Sequence, residues 1–92
     1  MIPIAFRTEA KADLDAIIDW YTAVAPESLE RILADIYRSI DQLSRYPRSG
    51  MSVPERRFRR IVTLDYHFKI GYQIEDERIV ILGLFRFQNR EV

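Results

Sequence analysis

Basic side chains crowd one short stretch of this chain. Four arginines stand within residues 56–60, on either side of Phe58. Guanidinium groups present paired donors that match phosphate and carboxylate groups, and Lys69 and Arg86 are expected beside them on neighbouring strands. The residues that we predict to contact a target are Arg57, Arg59, Arg60, Lys69 and Arg86. The competing interpretation is a solvated strand edge whose charges discourage aggregation.

The one histidine, His67, follows Tyr66. A histidine beside a tyrosine could act in acid–base chemistry near neutral pH. No recognisable motif surrounds the pair, and a lone histidine more often has a surface role or a partly buried structural one. Both residues are therefore candidates for proton transfer, without an assigned role.

Several kinds of chemistry lack the residues that they need. The chain has no cysteine, which excludes a disulfide framework, a thiolate metal site and a cysteine nucleophile. Its aspartates lack the spacing of a calcium loop and have no histidine near them in sequence. No nucleotide-binding glycine motif, GxSxG or HExxH occurs. We predict no metal and no cofactor.

Size and composition indicate an ordinary globular domain. The 92 residues suit one domain and are too few for two, so residues 1–92 are predicted to form a single domain. Hydrophobic residues make up 48% and charged residues 30%. No apolar run reaches the roughly 20 residues of a membrane span, and no signal-peptide pattern opens the chain. We expect a cytoplasmic protein with no membrane partner.

The net charge is zero, but it is unevenly distributed. Residues 1–46 carry a formal charge of −3, and residues 47–92 carry +3. Tight binding to bulk nucleic acid depends on several phosphate contacts from lysine and arginine and is strongly salt-dependent. A neutral total argues against that mode of binding.

The second half of the chain predicts three strands. Residues 67–74 alternate between apolar and polar, and their apolar set is Phe68, Ile70, Tyr72 and Ile74. Residues 79–85 are apolar on both faces, as in an interior strand, and the acidic residues 75–77 before them indicate a hairpin. Residues 56–65 predict the strand that precedes it. Gly71 and Gly83 inside strands predict a bulge or a close backbone approach.

The first half predicts an edge strand and two helices. Residues 2–7 alternate in polarity, and Pro3 lacks the N–H that a central strand needs. Thr8 is the predicted N-cap of a helix that runs to about Val24, and a second helix begins at about Pro26. The YPRSG segment at 46–50 ends that helix, and a loop continues through residue 54.

These elements together predict an α+β fold of order β-α-α-β-β-β. A helical hairpin would cover one face of a small, mainly antiparallel sheet. Trp20, Tyr21, Tyr37 and Tyr46 would then be packing residues, or would line a partner groove between hairpin and sheet.

Four segments in this order resemble toxins of the RelE/ParE superfamily: AFRTEAKADLDAIIDWY, RILADIYRSIDQLSRYPRSG, RRIVTLDYHFKIGYQIEDERIVILGLF and FRFQNRE. The resemblance covers almost the whole chain. It implies the RelE/ParE-like fold and membership of a bacterial type II toxin–antitoxin pair. The cognate antitoxin would bind the helical hairpin and a sheet edge, and operator DNA would be reached only through that antitoxin. The antitoxin-binding residues that we predict are Trp20, Tyr21, Leu33 and Tyr37.

The resemblance also bears on the target. It places Lys69 where ribonuclease members have a catalytic arginine, and Phe87 and Gln88 where some have a His–Tyr pair. A phenyl ring cannot transfer a proton, and losing acid–base help lowers a rate by roughly 10²- to 10⁴-fold. We therefore predict a ParE-like poison of DNA gyrase with no catalytic residues of its own.

Two other functions stay open at the level of sequence. The first alternative is a ribosome-dependent mRNA endoribonuclease of RelE type. Its catalytic residues would be Arg60, Lys69, Arg86, Tyr66 and His67. The second is a degenerate member of the superfamily that is not toxic and that only sequesters an antitoxin or contributes to operator binding by the complex.

Overall fold

The computed structural model describes residues 1–86. Its helices and strands follow one another along the chain in the predicted order, with one short additional strand. The elements are β1 (Ile4–Phe6), α1 (Thr8–Val24), α2 (Pro26–Arg45), β2 (Met51–Ser52), β3 (Arg59–Val62), β4 (Lys69–Glu75) and β5 (Arg78–Phe85). Phe87 and Gln88, which entered the comparison with ribonucleases, lie outside the described residues. Within residues 1–86, neither helix is long and apolar enough to cross a membrane.

The two helices are joined by Ala25 alone. The Ala25 N–H donates to the Tyr21 carbonyl at 2.9 Å and so closes α1. Pro26 then occupies the first turn of α2, where its missing N–H has no helical partner to lose. The prediction that Thr8 caps α1 was wrong by one residue. Arg7 is the N-cap, in extended conformation and without a side-chain hydrogen bond, and Thr8 is already helical.

The strands form one mixed sheet in the order β1-β5-β4-β3-β2. β1 runs parallel to β5, with Ile4 opposite Ile79, and the other neighbouring pairs are antiparallel. The α+β fold class is thereby confirmed, with β1 at one edge and β5 in the interior. A parallel pair needs a long crossover, and the helical hairpin lies within the chain that connects β1 to β5.

The structure corrects three strand boundaries. The predicted loop after α2 contains β2, a strand of only two residues that pairs with β3. The arginine-rich strand is shorter than predicted, because residues 53–58 form a turn in which the Val53 N–H donates to the Phe58 carbonyl at 3.2 Å. β4 begins at Lys69 and not at His67, whose φ of 61° is incompatible with a strand.

The hydrophobic core lies between the helices and one face of the sheet. Alternation along β4 confirms the predicted buried face, since Phe68, Ile70 and Tyr72 are at most 1% exposed. The helices contribute Ala10 and Ile17 from α1, and Ile32, Ile36, Ile40 and Leu43 from α2. Complete burial of one such aliphatic side chain contributes about 1.5–3 kcal/mol.

Gly71 and Gly83 mark an irregularity in the sheet, as predicted. They lie opposite each other, whereas the next pair joins Tyr72 to Ile81, so that Leu82 is the extra residue of a bulge in β5. Asp13 of α1 reaches this bulge, and its Oδ2 accepts a hydrogen bond from the Leu84 N–H at 3.0 Å. The bulge is therefore fixed to the first helix.

Candidate functional site

Two side chains hold the loop between α2 and β2. The Tyr72 hydroxyl donates to the Pro47 carbonyl at 2.7 Å and accepts from the Gly50 N–H at 2.9 Å. Arg59 Nη1 donates to the Gly50 carbonyl at 2.8 Å and to the Arg48 carbonyl at 3.4 Å. Burial raises the pKa of the Tyr72 phenol, and the Gly50 N–H and the charge of Arg59 offset only part of that rise. Arg59, predicted to contact a target, thus also supports the loop.

The held loop brings four arginines to one depression of about 230 Å³, which we call the arginine notch. Its lining includes Arg48, Arg56, Arg57, Arg59, Ser52 and Gln73. The Gln73 side-chain amide donates to the Arg57 carbonyl at 2.9 Å, which ties the turn to β4. Arg57 and Arg59 were predicted to contact a target, whereas Arg48, which joins them here, was not. No local pattern signals this, because the loop bonds that position Arg48 come from β3 and β4.

Arg60 and Lys69 share the opposite face of the β3–β4 ladder. Arg60 lies opposite Gly71, and Lys69 lies opposite Val62, so the two basic residues are diagonal neighbours. Arg59 lies opposite the buried Tyr72 and therefore belongs to the other face. The predicted target-contacting residues of β3 and β4 therefore lie on two different faces of the sheet.

Arg86 belongs to a third region. Its guanidinium carbon lies 4.8 Å from the centre of the Trp20 ring, in cation–π geometry. The two side chains line a depression of about 300 Å³ between α1 and the end of β5.

Asp35 is a buried, hydrogen-bonded carboxylate that was not among the predicted site residues. It is 0% exposed, and its oxygens accept from the Asp65 N–H at 3.1 Å and the Tyr66 N–H at 2.8 Å. Burial raises the pKa of this carboxyl, but hydrogen bonds from Thr63, Tyr66 and Asp65, with the charge of Arg38, lower it below its ordinary value. The sequence did carry one signal of this burial, since Asp35 occurs at the helical spacing of the apolar residues of α2.

Tyr66 and His67, the two candidates for proton transfer, occupy the turn that Asp35 holds. The Tyr66 side chain packs against the core, and the residue lines a depression beside Arg31 and Arg38 of α2. His67 is exposed and adopts a left-handed backbone conformation. Arg86 therefore lies in a different depression from Arg60 and Tyr66, whose two depressions adjoin at Arg38 and Leu64.

The residues predicted to bind an antitoxin differ in exposure. Tyr21 packs edge-to-face on Phe68, with ring centres 6.4 Å apart, and is part of the core margin. Trp20 and Tyr37 are each 47% exposed. Leu33 is half-buried and precedes Tyr37 by four residues, so the two are neighbours on one side of α2.

The chain belongs to the ParE toxin family. The family described as ParE toxin of type II toxin–antitoxin system, parDE, matches residues 4–88. This confirms the resemblance to the RelE/ParE superfamily that the sequence predicted. Among curated proteins, none matches the chain in sequence.

Solved structures share its fold. A chain of the chromosomal ParDE toxin–antitoxin system from P. aeruginosa is similar with a TM-score of 0.79 and 24% identity, over 96% of this chain and 98% of that one. The intact E. coli RelBE toxin–antitoxin complex contains a chain with a TM-score of 0.59 and 11% identity, covering 94% and 96%. The conserved hypothetical protein HP0894 from Helicobacter pylori gives 0.59 and 12%, covering 94% of each chain.

Proposed function

We propose that this ParE-family protein is a toxin that is neutralised by a cognate antitoxin and that poisons DNA gyrase by binding it. Family membership supports the toxin role. Structural likeness to chains of ParDE and RelBE toxin–antitoxin systems supports an antitoxin as partner. A gyrase target would place the activity in the cytoplasm.

The observation that carries the non-catalytic part of this proposal is the dispersal of the candidate catalytic groups. A general base must lie within about 3 Å, heavy atom to heavy atom, of the group whose proton it takes, with charge stabilisation in the same cleft. Arg86 is stacked on Trp20 in a depression that includes neither Arg60 nor Tyr66, and these two residues line separate depressions that adjoin at Arg38 and Leu64. Binding needs no such convergence, and distributed arginines can contact a large protein surface.

The exposed apolar side chains of the helical hairpin support the antitoxin as partner. Trp20 and Tyr37 are large and half-exposed, and aromatic residues of this kind dominate binding energy at protein interfaces. Leu33 extends the surface around Tyr37. Operator DNA would be reached through the antitoxin, since the neutral net charge of this chain is poor for binding DNA directly.

A supercoiling assay tests the target. The purified chain, added to DNA gyrase and relaxed plasmid, is expected to block supercoiling and to trap cleaved DNA. The double variant Arg60→Ala/Lys69→Ala should weaken inhibition at least 10-fold, while the matched variant Arg31→Ala/Arg78→Ala keeps it. No effect of the wild-type chain at micromolar excess would discard the gyrase proposal. Codon-positioned mRNA cuts after induction, mapped by primer extension, would instead favour the ribonuclease.

A growth assay tests the antitoxin separately. Expression of the chain should arrest growth, and co-expression of the small protein encoded by the adjacent reading frame should restore it. Tyr37→Asp should weaken co-purification of the two proteins, whereas Tyr46→Asp, at a residue just after α2, should not. Unimpaired growth without any partner would contradict the toxin role.

A further inference from the structure

The arginine notch gathers positive charge from separate segments of the chain. Arg48 lies in the loop after α2. Arg56 and Arg57 lie in the turn before β3, and Arg59 lies in β3 itself. None of the catalytic residues of the ribonuclease alternative lines this depression of about 230 Å³. The notch is therefore a different basic site.

The arginines of the notch have no internal counter-charge in the described part of the chain. Between residues 1 and 86, the ion pairs of arginine involve Arg7, Arg38 and Arg45, which lie outside the notch. Like charges gathered in one depression repel one another until an anionic group enters. The charge of the notch is thus available to a ligand.

The main chain around the notch is held in place. Arg59 Nη1 donates to the Arg48 carbonyl at 3.4 Å, and the Tyr72 hydroxyl holds the rest of the same loop. The Gln73 side-chain amide donates to the Arg57 carbonyl at 2.9 Å. Charges that only discourage aggregation need no such support. Donors on a fixed main chain lose less freedom when they bind a ligand.

We propose that the arginine notch binds the terminal phosphate or diphosphate group of a small molecule, such as a nucleotide. A guanidinium pairs with phosphate oxygens through two parallel hydrogen bonds. A terminal phosphate carries roughly −1.5 to −2 charges at neutral pH and three acceptor oxygens, so that it can engage several guanidinium groups at once. This site is additional to the proposed function and does not rest on it.

A terminal phosphate fits the notch better than two other anions. A nucleic-acid backbone carries one charge per phosphate, and binding to it depends on several contacts spread along the strand. The notch instead concentrates its arginines in one depression, and the chain has no net charge to attract a polyanion over distance. A single carboxylate carries one charge and neutralises less of the repulsion.

Isothermal titration calorimetry of the whole chain with pyrophosphate, in magnesium-free buffer of constant ionic strength, tests this proposal. We expect one site per chain. The double variant Arg48→Ala/Arg57→Ala should bind about 10-fold or more weakly, because charge-assisted hydrogen bonds are lost. The matched variant Lys11→Ala/Arg31→Ala removes the same charge from exposed helical residues and should bind normally. Equal weakening in both variants would overturn the proposal. Circular dichroism checks that both fold.

Tyr72→Phe separates a shaped site from simple charge attraction. This substitution removes no charge, but it releases the Pro47 carbonyl and the Gly50 N–H from the hydroxyl group. The loop that carries Arg48 should then be less ordered, and pyrophosphate should bind about 3-fold or more weakly to the folded variant. Unchanged affinity would show that the loop does not shape the site and would count against the proposal.

Two further ligands identify the source of the phosphate group. Comparable affinity for ATP without magnesium supports a nucleotide, and a preference for pyrophosphate supports a free phosphate anion. A thymidine oligonucleotide without a terminal phosphate should bind about 10-fold or more weakly than pyrophosphate. Equal or tighter binding of this oligonucleotide would overturn the proposal. The assay contains neither gyrase nor antitoxin, so a failure to bind pyrophosphate leaves the supercoiling and growth tests unaffected.

Discussion

Asp35 connects the middle of α2 to the turn between β3 and β4. Its carboxylate accepts two main-chain N–H groups that lie 30 and 31 residues further along the chain. Those N–H groups would otherwise be poorly paired in a part-buried turn. One side chain therefore sets the distance between the second helix and the strands that follow it.

Replacing Asp35 by Asn should lower the free energy of unfolding by about 1–3 kcal/mol at pH 7, because charge-assisted hydrogen bonds to main-chain donors are lost. Urea titration followed by fluorescence of the single tryptophan, Trp20, measures this. Asp41→Asn is the control, since its ion pair with Arg45 at 3.4 Å is exposed and should contribute less than about 1 kcal/mol. Equal effects of the two substitutions would contradict the role of Asp35.

The same carboxylate predicts a pH dependence. The pKa of Asp35 is lowered in the folded protein, so below about pH 4 the unfolded chain binds the proton first. The stability that Asp35 contributes is complete above the unfolded-state pKa and is lost as the pH falls through the folded-state pKa. The difference in stability between wild type and Asp35→Asn should therefore shrink on acidification. A difference that grows on acidification would show that folding does not lower the pKa of Asp35.

Gly50 is required by close packing against Tyr72. A Cβ atom at this position would lie 2.5 Å from the Tyr72 hydroxyl oxygen and 2.7 Å from Cε1. Gly50→Ala should therefore destabilise the protein by about 1–3 kcal/mol, through displacement of the ring or of the loop. Thermal unfolding measures the effect. Gly71→Ala is a suitable comparison, because its nearest contact would be an ordinary 3.9 Å to the Phe58 ring.

At the scale of elements, the β4–β5 hairpin has a turn that its residues do not favour. Asp76 and Glu77 occupy the two central positions with φ of 48° and 63°. Positive φ at both positions identifies a type I′ turn, for which Asn-Gly is preferred. The acidic residues signalled an interruption between strands, but not the kind of turn.

The double variant Asp76→Asn/Glu77→Gly should raise the free energy of unfolding by about 0.5–1.5 kcal/mol, because it relieves left-handed strain in a side-chain-bearing residue. Chemical denaturation gives the value. Placing the same Asn-Gly pair at residues 64 and 65 should not stabilise the protein, since Asp65 belongs to the turn held by Asp35. Destabilisation by the hairpin variant would count against the turn assignment.

At the scale of the whole molecule, both helices and the central strands share one hydrophobic core. Ile17, Ile36, Tyr72 and Ile81 belong to the same buried cluster although they come from four different elements. Separation of the hairpin from the sheet would expose all of them. The protein is therefore expected to lose its helices and its sheet together.

We predict a single cooperative unfolding transition with an m value in urea of about 1 kcal/mol/M, as for other small domains. Far-ultraviolet circular dichroism reports mainly the helices, and Trp20 fluorescence reports the contact between α1 and the end of β5. The two transitions should coincide. Transitions that separate in urea concentration would reject the single-domain prediction.

The sequence by itself determined the helices, the main strands and the buried faces, because periodicity and local turn chemistry act over a few residues. It determined the family through the resemblance of four segments in their order. Only the tertiary structure decided which arginines share a surface. Arg59 and Arg60 are adjacent in sequence but lie on opposite faces of β3, whereas Arg48 and Arg57 meet at one notch. The two-residue strand β2 and the burial of Asp35 likewise depend on partners distant in sequence. Such long-range contacts leave no regular period in the residues that make them.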